Sequence, residues 1–161
     1  MTDTKLLQIY LNDHLAGATA GCELARRALS NNEGTDLGSF LRQLVVDLEE
    51  DRTALTELIE RLELKKSVFK QSAGWMAEKA GRLKLNGQIT GYSDLSRLLE
   101  LEGLTIGIQG KLSLWENLKT IADHDSRLAT FDLDRLIERA RSQQVGVEQY
   151  RVDAAATALG G

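Results

Sequence analysis

The chain has 161 residues, of which 42% are hydrophobic and 27% are charged, a balance typical of one soluble domain with a sizeable core. Its net charge of −4 disfavours a protein that binds nucleic acid over its whole surface. Because no run of about 18 apolar residues occurs, no membrane span is expected. The start, MTDTKLLQIY, lacks the basic and apolar regions of a signal peptide, which favours a cytoplasmic protein.

The residue types that are rare in this chain limit the reactions that it could catalyse. A single cysteine, Cys22, excludes an internal disulfide and fits a reducing compartment. The absence of proline fits a chain that spends its length in uninterrupted helices. With two histidines and no serine motif, the sequence shows no arrangement of a nucleophile with a base, so an enzyme is not favoured.

Four long helical patterns follow one another along the chain. The first covers about Asp3–Asn31 and ends at SNNEGTD, and the second covers about Thr35–Leu64. The third covers about Ser93–Ala122 and ends at DHDSRLATFD, and the fourth covers about Asp132–Leu159. The second and third ranges begin with their expected N-cap residues.

The lengths of the connections predict how these helices pack. Short loops make the first helix an antiparallel neighbour of the second, and the third an antiparallel neighbour of the fourth. Residues 65–92 are long enough to return the chain along the bundle, and KSVFKQSAGWMAEKAGRL within them predicts a short amphipathic helix. In helix order and lengths the chain resembles the ferritin-like superfamily over nearly its full length. We therefore expect an all-α, single-domain four-helix bundle over residues 1–161, up-down-down-up, with a helical crossover.

The resemblance implies a di-metal centre, with a glutamate on helices one and three and Glu-x-x-His on helices two and four. Helix one has His14 in place of a glutamate, and DLEEDR in helix two contains no histidine. On helix four Glu148 is followed three residues later by Arg151, which cannot ligate a metal. A full di-metal centre is therefore not expected. A weaker iron or manganese site would be built on His14 with carboxylates from the set Asp51, Glu102 and Glu148.

A polar network in the bundle interior is the favoured alternative to a metal site. His14 falls on the apolar stripe of helix one, and pairing the helix ends places it near Asp51. The same estimate places Glu102 near Arg151. Pairing offsets the cost of burying charge, so these residues are predicted to join across the interior. Two amides at similar depth, Gln109 and Gln144, would complete the network.

Glycines line one face of two helices that ferritin-like connectivity would place side by side. They are Gly17 and Gly21 on helix one and Gly103, Gly107 and Gly110 on helix three. Glycine costs a helix interior about 1 kcal/mol against alanine, so these positions predict a close approach of the two helices. The alternatives are a slot for a flat ligand or a self-association face.

The crossover is the one basic segment of the chain. Residues 65–84 have a net charge of +5, which leaves −9 for the rest. The positive charges belong to Lys65, Lys66, Lys70, Lys79, Arg82 and Lys84. The plain interpretation is that the apolar side of this segment packs on the bundle and its lysines are solvated.

Three functions follow from these patterns. The leading hypothesis is a non-catalytic, self-associating bundle, most simply a dimer, with a polar network instead of a di-metal centre and no cofactor. The second is a carboxylate protein that stores or oxidises iron or manganese. The third is an adaptor that uses the basic crossover on an acidic partner or surface.

Overall fold

A computed structural model describes residues 3–66 and 91–160 of the chain. These residues form four helices, α1 (Thr4–Asn31), α2 (Asp36–Arg61), α3 (Asp94–Ala122) and α4 (Leu133–Leu159). The predicted all-α class and the four-helix bundle are confirmed. The short amphipathic helix predicted within the crossover lies outside the described residues.

Each helix begins where a polar side chain caps its first amides. The side chain of Asp3 accepts hydrogen bonds from the backbone of α1, and Thr35 does the same for α2. Ser93 forms a capping box at the start of α3, and Asp132 caps α4. These interactions satisfy amides that have no partner within the helix, which fixes the helix starts close to the predicted positions.

The four helices pack as two antiparallel hairpins, α1 with α2 and α3 with α4. The hairpins meet along two seams, α1 against α3 and α2 against α4, and the second is the less closely packed. On the first seam Nδ2 of Asn117 donates to the hydroxyl of Tyr10 at 2.9 Å, and Nε of Arg27 donates to Glu100 at 2.7 Å. Early residues of α1 therefore face late residues of α3, so these two helices are antiparallel.

The hydrophobic core consists of two clusters, one toward each end of the bundle. On α2, Leu55 belongs to the first cluster and Leu48 to the second, with Asp51 between them. On α4, Ala140 and Val147 are divided in the same way. A polar layer therefore interrupts the core near its middle.

The buried line of α1 follows the predicted stripe at most positions and departs from it at His14 and Gly21. Leu11, Cys22 and Ala25 are buried, while His14 and Gly21 are only partly buried. His14 therefore lies at the border of the buried face of α1, not within it.

Candidate functional site

The polar layer is centred on the carboxylate of Asp51, which is 3% exposed. Its Oδ2 accepts a hydrogen bond from Nζ of Lys111 on α3 and, at 3.5 Å, from Nε2 of Gln143 on α4. Its Oδ1 accepts from Nη2 of Arg139 on α4. All three donors belong to the second hairpin, so one carboxylate of the first hairpin joins the two.

The layer brings two cations to one buried carboxylate. Lys111 also donates to Gln143, and Nη1 of Arg139 donates to the exposed Glu50 at 2.6 Å. Burial lowers the pKa of Lys111, and Asp51 opposes that effect. Burial also disfavours the charged form of Arg139, but Asp51 and Glu50 outweigh it, so its pKa is raised. The protein's own cations thus offset the cost of burying Asp51.

The chemistry that this arrangement supports is charge neutralisation. Both oxygens of Asp51 are occupied by donors, and the side chain of Lys111 is only 12% exposed. A general base or a nucleophile must reach a proton or an atom of its substrate, and neither group offers such access. The layer instead holds α2, α3 and α4 at one level.

Sequence reasoning identified Asp51 and missed its partners Lys111, Arg139 and Gln143, because long polar side chains are usually solvated. A periodic signal was present nevertheless. Lys111 lies three residues after Ile108 and four before Trp115, both of which are buried. That spacing places it on the inner face of α3.

His14 and Asp51 are not brought together. The ring of His14 packs edge-on against Tyr10, with ring centroids 4.6 Å apart. Because Tyr10 bonds to Asn117 on α3, this face of α1 lies at the α1–α3 seam, whereas Asp51 lies among α2, α3 and α4. Burial lowers the pKa of His14, and Asp13 opposes the effect.

The second predicted pair also lies outside the core. Arg151 donates two hydrogen bonds of 2.7 Å to Glu148, one turn away on α4, and Glu102 acts on it only as a nearby charge. Gln144 does donate to Gln109, at 2.6 Å, but this pair is on the surface. Gln109 and Gln144 therefore lie at one level of the bundle, but outside its interior.

The four candidate metal ligands, His14, Asp51, Glu102 and Glu148, occupy separate places. Across residues 3–66 and 91–160, no three or more His, Cys, Asp or Glu side chains form a group that could hold a metal ion. At Asp51 the neighbours are donors, which compete with a metal for the carboxylate oxygens. The described part of the chain therefore does not fit a di-metal centre.

A second buried carboxylate, Glu100, was not among the residues predicted to pair in the interior. It is 0% exposed and accepts hydrogen bonds from Arg27, from Asn31 at 3.4 Å and from the hydroxyl of Tyr92 at 2.9 Å. Burial is the main cause that raises the pKa of Tyr92 to about 12, and Asn32 opposes it. This cluster ties the start of α3 to the end of α1.

Four of the five predicted packing glycines do not mediate close packing. A Cβ added at Gly17, Gly21, Gly107 or Gly110 would meet no described atom within 4 Å. At Gly103 it would lie 2.8 Å from Cδ2 of Leu24, so this glycine alone serves the α1–α3 contact. The expected approach of two smooth faces is thus limited to one position.

The basic crossover, predicted to pack its apolar side on the bundle or, alternatively, to contact an acidic partner, falls mostly on residues 67–90, outside the described residues. Lys66, the last described residue before this gap, forms an ion pair with Glu60 at the end of α2. None of the four helices is long and apolar enough to cross a membrane. Comparison with protein families, curated proteins and solved structures found no match to this chain.

Proposed function

We propose that the chain is a non-catalytic, ferritin-like helical bundle that associates with itself, and that its polar layer stands in place of a di-metal centre. The observation that carries this proposal is the saturation of Asp51 by Lys111, Arg139 and Gln143. Two antiparallel hairpins joined by a long connection support the ferritin-like part.

Elemental analysis tests the replacement of metal by protein cations. Protein purified from cells grown with added iron and manganese should carry neither in stoichiometric amount. The matched variant is Lys111→Glu, which removes a cation and adds a carboxylate beside Asp51, so it should retain more metal than the wild type. Two metal ions per wild-type chain would overturn the proposal.

Self-association is supported by the open glycine face between α1 and α3, defined by Gly17, Gly21, Gly107 and Gly110. Each glycine costs its helix about 1 kcal/mol, and no described side chain uses the space that it leaves. Ile106, on the same helix as two of them, is 59% exposed. A smooth face beside an exposed apolar side chain suits a second copy of the chain.

Size-exclusion chromatography with light scattering tests this part of the proposal. The wild type should form a dimer whose population rises with concentration. Gly107→Arg places a charge on the open face and should give a monomer with unchanged helical content. Ser142→Arg, an exposed position on α4, is the control and should leave the dimer intact. A wild type that remains monomeric at every concentration would refute self-association.

A further inference from the structure

The outward side of α1 is poor in charge for a helix at the corner of a bundle. Between Lys5 and Glu23 the helix contains one aspartate, glutamate, lysine or arginine, which is Asp13. The solvent side of a surface helix usually carries charged and polar residues. The composition of α1 therefore indicates that another element covers its outward side.

This outer face of α1 is defined by Ile9, Ala16 and Ala20. Spacings of seven and four residues place the three on one side of the helix, opposite to the buried Leu11 and Cys22. Ile9 is 45% exposed, and the two alanines are partly buried. Because the distance between packed helices depends on the side chains at their contact, the alanines permit a close approach.

Both described ends of the crossover lie on α1. At its start, the backbone N–H of Lys65 donates to Oε1 of Gln8 at 3.3 Å, and its carbonyl accepts from Nδ2 of Asn12 at 3.0 Å. At its end, the hydroxyl of Tyr92 accepts from Nδ2 of Asn32 at 2.9 Å. Asn32 directly follows α1, so the crossover begins at one end of this helix and finishes at the other.

The length of the crossover matches this path. From Asn12 to Asn32 the helix axis rises about 30 Å, and the amphipathic helix predicted for KSVFKQSAGWMAEKAGRL would be about 27 Å long. A connection along the α2–α4 side would have to turn away from α1 at both ends. The direct path runs parallel to α1.

The sequence of the crossover contains an apolar stripe that suits the outer face. Phe69, Met76 and Leu83 recur every seven residues, and Ala73 and Ala80 fall between them at helical spacing. Large side chains on this stripe would meet the small side chains of α1, which is the complementarity that close helix packing needs.

The position of Lys65 sets the register of the two helices. Lys65 lies between the levels of Gln8 and Asn12, and each helix rises about 1.5 Å per residue. Met76 would consequently lie level with Ala20. The central side chain of the stripe thus falls on the middle of the outer face.

The charges agree with the same register. Asp13 and Glu23 are exposed, and neither forms an ion pair with a described residue. The register brings Lys70 within one turn of Asp13 and Lys79 within one turn of Glu23. Such exposed pairs add little stability, but they make the two surfaces complementary in charge.

We propose that residues 67–90 pack along the outer face of α1 as a fifth helix parallel to it, with Met76 against Ala20. The apolar stripe of the crossover is then used within the chain. What the crossover presents to an acidic partner is its basic side alone.

This packing leaves the open glycine face available to a second copy. Gly17 and Gly21 share one side of α1 with Leu24, which packs on Gly103 of α3. The glycine face therefore points toward α3, and the outer face points away from the bundle.

Disulfide formation between introduced cysteines tests the proposal. In a Cys22→Ala background of the full chain, Met76→Cys is combined in turn with Ala20→Cys, Ile9→Cys and Val46→Cys, and each variant is oxidised at low protein concentration. A disulfide requires Cα atoms within about 7 Å, so the Ala20 pair should close at least about tenfold faster than the other two. The Ile9 pair is the control for register, since Ile9 lies about three turns away on the same face. The Val46 pair is the control for the side of the bundle, since Val46 is exposed on α2.

Mass spectrometry without reductant distinguishes a bond within one chain from a bond between two. Faster closure of the Ile9 or Val46 pair overturns the proposal, and so do equal rates for all three pairs. An Ala20 bond that forms only between chains also overturns it and assigns the outer face to a second copy. If Ala20→Cys does not fold, Ala16→Cys takes its place and must close faster than both controls.

Discussion

At the residue scale, the two most deeply buried carboxylates each take a cation from the other hairpin. Asp51 of α2 binds Lys111 and Arg139 of the second hairpin, and Glu100 of α3 binds Arg27 of the first. Removing one member of such a buried pair leaves a charge without its partner, which is more destabilising than losing an exposed pair. The loss of stability on replacing one residue of an ion pair therefore depends on how deeply the remaining residue is buried.

Arg27→Leu and Arg151→Leu should consequently behave differently. Arg27→Leu strands the buried Glu100, and we expect a loss of about 3 kcal/mol in the free energy of unfolding. Arg151 binds the exposed Glu148, so Arg151→Leu should leave the denaturation midpoint unchanged. Urea denaturation of both variants checks this, and equal losses would contradict the assignment.

His14 gives the protein a specific pH dependence. Burial lowers its pKa below the ordinary value of 6.5, so between these two values the unfolded chain binds more protons than the folded one. The stability due to His14 should be fully present above pH 6.5 and should fall as the pH drops toward the lowered pKa. Urea denaturation of the wild type and His14→Gln at several pH values should show their difference shrinking over that range. A pH-independent difference would contradict this.

At the element scale, the helical glycines divide according to what their missing side chain would meet. Gly107 faces open space among the described residues, whereas a Cβ at Gly146 would lie 2.5 Å from Cε2 of Phe40. Helix propensity alone favours alanine at both sites. Whether alanine raises or lowers the free energy of unfolding at each site therefore depends on what the neighbouring helix places there.

Gly107→Ala should raise the free energy of unfolding by up to about 1 kcal/mol, because nothing opposes the gain in helix propensity. Gly146→Ala should lower it, because the Phe40 ring must move. Thermal or urea denaturation at low protein concentration would measure both. A loss of stability in Gly107→Ala would show that the face is already occupied within one chain.

The helices could be predicted from the sequence because their signals are local. Caps such as Thr35 and Ser93 lie beside the segments that they start, and an apolar period is visible within one helix. Depth along the bundle followed from loop positions, so Gln109 and Gln144 were correctly placed at one level. Rotation about the axis depends on packing between helices, which is why Glu102 was expected inside while Glu100 is the buried glutamate.

At the scale of the whole molecule, the polar layer divides one bundle into two hydrophobic clusters. Such a layer provides less stability than leucine would, because it includes desolvated charges. What it adds is a single allowed alignment, since sliding α2 by one turn would place Asp51 among leucines. The layer therefore favours specificity of alignment over maximal stability.

Replacing the whole layer by apolar residues tests this balance. The quadruple variant Asp51→Leu, Lys111→Met, Arg139→Leu and Gln143→Leu should be at least as stable as the wild type, by up to about 4 kcal/mol. Asp51→Leu alone should be strongly destabilised, because two cations lose their counter-charge. Urea denaturation compares the two, and a quadruple variant less stable than Asp51→Leu would refute this account.

The division of buried charges between the hairpins has a consequence for assembly. Neither hairpin contains the counter-charges for its most deeply buried carboxylate, Asp51 or Glu100, so an isolated hairpin would have to leave that carboxylate in water. The same ion pairs can form whether the two hairpins belong to one chain or to two. Two copies could therefore exchange hairpins without losing a buried interaction, and separately produced hairpins should recognise each other as complementary halves.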